Sequence, residues 1–105
     1  MTERRAASRY RAEGDRTFRV EAPDGRALAF AALEDASATG VRLLANRACA
    51  PGPAVLVPPP LHPLAGRRFP FRVIRAGPAA GGLTVAGWFD PPITDDEAWA
   101  LAGGA

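Results

Sequence analysis

The chain has 105 residues, 48% of them hydrophobic, and a formal net charge of +2 at pH 7. That length suits one domain around a modest core. No apolar run reaches the roughly 20 residues of a membrane-spanning helix, and no apolar signal-peptide segment stands at the N-terminus. Cys49 is the single cysteine, so an internal disulfide is excluded and a reducing, cytoplasmic setting is expected.

The distribution of charge is more informative than its sum. All 13 basic residues are Arg. Arg4, Arg5, Arg9 and Arg11 stand against Glu3 alone in residues 1–11, a local +3, while nine Arg against ten acids leave the rest at −1. A general nucleic-acid binder would spread basic charge over a face. A basic arm suits a compact anionic ligand better.

In chain order, residues 1–16 are polar, lack a sustained apolar period and read as a flexible arm. "TFRVEA" then alternates, with Phe18, Val20 and Ala22 on one face, and "PDG" at 23–25 supplies a turn. "RALAFAALE" continues the pattern through Leu28 and Phe30, which makes a first hairpin, although its alanines also suit a helix. "VRLLANR" predicts a strand with Val41 and Leu43 inward, and "PAVLV" a short one ending at Pro58, Pro59 and Pro60. "PPPLHPLAGRR" lacks ladder donors and is expected as a surface loop carrying the lone histidine, His62. "FPFRVIR" places Phe69, Phe71 and Val73 inward, "GPAAGG" reads as a turn, and "LTVAGWF" directs Leu83, Val85 and Phe89 to the core. In "TDDEAWALAGG" the spacing of Thr94 and Glu97 is a capping box, predicting a short helix over 94–102 packed through Trp99 or Leu101. Six strands at regular spacing imply a small antiparallel barrel or sandwich.

"EDASATG", residues 34–40, contains the polar groups with most to offer a ligand. Asp35 and Ser37 are two apart and share a face if the segment is extended. Gly40 either takes a positive φ or lets a partner approach the backbone. The same triplet also describes a plain Asx-type turn. Upstream, "RRAASR" at 4–9 has the form Arg-Arg-x-x-x-Arg and precedes Asp35 by one hairpin of chain.

With Arg5 and Arg9 followed by a hairpin, by Asp35-x-Ser37-x-x-Gly40 and by apolar Val41, Leu43 and Leu44, the chain resembles the PilZ domain, a bacterial receptor module for cyclic di-GMP. The resemblance covers nearly the whole chain. "FRVIR" is similar to a later strand of that family and "VAGWFD" to its closing strand. Ala36 departs from the usual aliphatic residue, and Ala86 from a common Gly. The resemblance implies an all-β fold in one domain over 1–105. It would comprise a flexible arm at 1–16, a six-stranded antiparallel β-barrel over 17–90 and a short C-terminal helix.

It also implies a non-enzymatic receptor with no cofactor, whose ligand is cyclic di-GMP and whose output is an effector protein contacted when the arm becomes ordered. Arg5 and Arg9 would contact bases and phosphates, with Arg4 in support and Asp35, Ser37 and Gly40 as the floor. Guanidinium groups suit such a ligand because they fork onto phosphate or guanine O6 and N7 and stack on bases. Arg75 and Trp88, read as outward-facing, would border the ligand. Two other functions are compatible with these residues. One is a ligand-independent adaptor with the same fold, the other a single-strand nucleic-acid-binding barrel, which requires outward aromatic platforms. A Ser37–Asp35–His62 hydrolytic triad lacks a nucleophile elbow. A metal cluster has no second imidazole. Neither DNA binding nor membrane insertion is expected.

Overall fold

In the computed structural model, which describes residues 8–14 and 16–104, strands form where apolar and polar side chains alternate. They are β1 (Tyr10–Arg11), β2 (Thr17–Glu21), β3 (Ala27–Ala36), β4 (Gly40–Ala45), β5 (Gly52–Val57), β6 (Phe69–Ala79) and β7 (Gly82–Phe89), followed by α1 (Asp95–Leu101). The antiparallel order β3-β2-β5-β6-β7-β4 returns from β4 to β3, which closes six strands into a barrel. Closure is the reason for a barrel instead of a sandwich: the ten residues of β3 are long enough to serve both β2 and β4.

The interior is filled by Phe18, Val20, Leu43, Leu56, Phe69, Phe71, Val73, Val85 and Phe89. Each such side chain contributes on the order of 1.5–3 kcal/mol through burial. On β3 the face is the reverse of the expected one. Ala29, Ala31 and Leu33 point in, whereas Phe30 is exposed and Leu28 half-buried. Ala31 lies opposite Phe18 and Ala29 opposite Val20, so small residues on β3 accommodate large ones on β2. The expected "GPAAGG" turn is also shorter. Pairing continues to Ala79 and Gly82, leaving Ala80 and Gly81 as the two-residue loop.

The proline-rich segment is anchored rather than a free surface loop. His62 is buried with only 4% of its surface exposed. Its Nδ1 accepts the Leu64 N–H at 3.0 Å, so Nε2 carries the proton and donates to the Leu101 carbonyl at 3.3 Å. Its ring also meets Phe18 edge-on. A second tie runs from Arg68 to the buried carboxylate of Glu21, at 2.7 Å, and Arg19 also donates to that carboxylate at 2.6 Å. The hydrogen bond from Arg68 is the main reason the Glu21 carboxyl is held below its ordinary range.

Helix α1 has the expected capping box: Thr94 accepts from the Glu97 amide, and Glu97 accepts from the Thr94 amide. Ala98 and Leu101 bury it, while Trp99 remains 45% exposed, so Leu101 is the anchor and Trp99 is not. Arg4 and Arg5, in the arm expected to be flexible, lie outside the described residues. The later part of the arm is docked. Tyr10 and Arg11 pair with Ala36 and Asp35 along the same edge of β3 that holds β2, and the Glu13 amide donates to Ala102.

Burial holds the His62 imidazole below its ordinary value of 6.5. The unfolded chain therefore takes up this proton first, and stability falls as pH drops from about 6.5 toward the depressed native value. Chemical denaturation across pH 7.5 to 5 should show that loss above the range in which Glu21 and Glu97 titrate. His62→Gln should lower stability at pH 7.5 and flatten the slope between pH 6.5 and 5; an unchanged slope contradicts the assignment.

Candidate functional site

A strict two-residue period would turn Asp35 into the barrel, because Ala31 and Leu33 already point inward. A bulge between Leu33 and Asp35 prevents this: Leu33 opposes Leu43, yet Asp35 opposes Arg42. The extra residue places Glu34 and Asp35 outside and returns Ala36 to the core. Methyl-sized Ala36 is fully buried there.

Ser37 does not share the outer face with Asp35, because the chain has left the extended conformation by that point. It is 2% exposed, and its Oγ accepts the amides of Gly40 at 3.0 Å and Thr39 at 3.3 Å. The Ser37 amide donates to the Gly40 carbonyl, which makes residues 37–40 a tight hairpin turn. The amides of Ile93 and Phe89 hold the Ala38 and Thr39 carbonyls, so the turn is braced from outside as well. Gly40 has no positive φ, since it is already the first residue of β4. What it allows is close approach. A Cβ there would lie 3.3 Å from the Gly87 carbonyl oxygen and 3.6 Å from the Trp88 ring.

Arg9 meets Asp35 on this surface. Its Nη2 bonds Oδ1, and its Nε donates to the same oxygen at 3.1 Å. Both bonds fall on one oxygen, so Oδ2 has no donor among the described residues. Tyr10, the next residue, donates its hydroxyl to Asp95 at the start of α1, 2.6 Å away. Two turns of chemistry thus converge on the arm: one contact to the hairpin motif and one to the helix.

A second bulge acts from the opposite side. Val73 opposes Gly87, but Arg75 opposes Ala86, so Ile74 and Arg75 both face outward where strict alternation would bury Arg75. Trp88 projects from β7, 56% exposed, with part of its indole resting over Gly40. Together these residues line a shallow cleft of about 260 Å³ whose walls are Arg9, Arg42, Ile74, Arg75 and Trp88 and whose floor is Gly40, Val41, Ala86 and Gly87. The fold brings Arg9, Asp35, Gly40, Arg75 and Trp88 to one surface; Ser37 lies beneath it.

Sequence reasoning missed Arg42. It sits in the apolar strand "VRLLA", between Val41 and Leu43, and its outward alternation was the available signal. Among the described residues no carboxylate lies within 4 Å of Arg42, Arg72 or Arg75, so the cleft has positive charge to offer. His62 uses both ring nitrogens on the backbone of Leu64 and Leu101, and Ser37 is occupied by its turn, so no Ser37–Asp35–His62 relay is assembled. Among the described residues no group of three His, Cys, Asp or Glu side chains is placed to hold a metal ion. No described helix is long and apolar enough to cross a membrane.

Gly40→Val would force branched carbons against the indole. In a Trp99→Phe background, Trp88 emission should shift to longer wavelength and stability should fall by about 1–3 kcal/mol. Unchanged emission would mean that the indole does not rest on Gly40. No protein-family model matches the chain, and no curated protein is significantly similar to it.

Proposed function

We propose that this chain is a PilZ-like, non-enzymatic receptor for cyclic di-GMP, with the ligand bound over the cleft between the arm and β7. The observation that carries this reading is the bond from Arg9 to Asp35 at the cleft rim, because it unites the Arg-x-x-x-Arg arm with the Asp-x-Ser-x-x-Gly hairpin. Arg9 and Asp35 lie 26 residues apart in the chain and meet beside a cleft whose Arg42 and Arg75 have no carboxylate within 4 Å among the described residues.

In this reading Asp35 offers its Oδ2 to the N1–H and N2–H donors of a guanine, and Arg9 both orients that carboxylate and faces the ligand. Trp88 gives the base a stacking face. Gly40 lets the indole lie low, and Ser37 acts indirectly by fixing the turn. Arg5, four residues before Arg9, and Arg4 add charge from the arm. The proposed output is contact with an effector protein in the cytoplasm once the arm is ordered over the ligand.

A single-strand nucleic-acid track is disfavoured by the outward aromatics, since Trp88, Trp99 and Phe30 each border a different cleft. Calorimetric titration with cyclic di-GMP tests the proposal. The wild type should bind, and Arg9→Ala and Asp35→Ala should each weaken binding by about 1–3 kcal/mol, roughly five- to 150-fold. Binding that survives both substitutions unchanged would overturn the site; absence of binding by the wild type would favour the ligand-independent adaptor.

A further inference from the structure

We infer that Arg42 and Arg75 form a phosphate clamp across Ala86, a subsite outside both sequence motifs; this rests on the receptor reading for the identity of the ligand. Ala86 pairs with Arg42 on one side and with Arg75 on the other, so the three residues form one row across β4, β7 and β6. Neighbouring strands are about 4.8 Å apart, which sets the two arginine Cα atoms about 10 Å from each other. Only a methyl group separates them on that row. Both are exposed, both line the cleft beside Trp88, and neither has a carboxylate within 4 Å among the described residues. Two guanidinium forks rising from either side of a low floor suit the nonbridging oxygens of one phosphate.

Asp35 makes the arrangement conditional. It is the cross-strand neighbour of Arg42, yet its carboxylate is bonded to Arg9. Capture of Asp35 by the arm therefore leaves the Arg42 guanidinium available to an anion. An undocked arm would return Asp35 to Arg42 and neutralise half of the clamp.

Two probes test the clamp. The first is cyclic di-GMP, titrated into wild type, Arg42→Gln, Arg75→Gln and Arg42→Lys, with thermal denaturation confirming that each variant is folded. Both Gln variants should lose at least about tenfold in affinity, roughly 1.4 kcal/mol, and Arg42→Lys should lose less because it keeps the charge but not the fork. The second probe is inorganic pyrophosphate, which has no base, followed through the arginine Nε–H resonances. It should shift Arg42 and Arg75 together and saturably, and Arg42→Gln should abolish the shift at Arg75. If the wild type fails to bind cyclic di-GMP but pyrophosphate shifts both arginines, the receptor reading fails and the clamp stands. If Arg42→Gln binds cyclic di-GMP as the wild type does, or pyrophosphate shifts neither arginine, the clamp is overturned.

Discussion

The interior of this barrel has no free place for a cleft arginine or acid, and the surface chemistry follows from that constraint. Two-residue alternation along β3 and β6 would send Asp35 and Arg75 inward, where an unpaired charge costs several kcal/mol. One extra residue in each strand reverses both side chains without disturbing the apolar set beneath them. The two bulges face one another across β4 and β7, and the candidate site occupies the surface between them. Where a charge is buried, at Glu21, the chain supplies two arginines instead.

The arm completes that surface and links it to the C-terminal helix. Arg9 bonds the hairpin, Tyr10 bonds Asp95, and the Glu13 amide bonds Ala102, all within five residues. A ligand that competes for Arg9 or Asp35 would act on a segment already attached to α1. His62 bonds the same helix end through Leu101, so both the arm and the proline-rich loop are tied to the last turn of α1. Trp99 lies exposed beside this junction and lines a cleft with Arg9, Tyr10 and Gly103.

Much of the fold was legible in the sequence because strong alternation and a capping box are local signals. Phe18, Val20, Phe69, Phe71 and Val85 could be placed from period alone, and Thr94 with Glu97 marked the helix start. The face of β3 could not, because alanines occur at both parities and only the pairing with Phe18 and Val20 decides between them. The burial of His62 is hidden for a related reason: its proline neighbours indicate a loop but carry no information about what the loop covers. At the site, the residue types of Asp35, Gly40 and Arg9 were readable, whereas their convergence is tertiary. A surface position for Ser37 requires an extended backbone, which the turn abolishes. Arg42 was overlooked because its strand reads as core on either side.

In the proposed function, an anionic guanine ligand would occupy the surface between the two bulges. Amide and indole chemical-shift mapping of the full chain with cyclic di-GMP tests it most directly. The largest changes should fall at Arg9, Asp35, Gly40, Arg42, Arg75 and the Trp88 indole, with little change at Phe30 and Val57 of the proline-lined cleft across the barrel surface. Shifts concentrated at Phe30 and Val57, with the Trp88 indole and Gly40 unmoved, would contradict it.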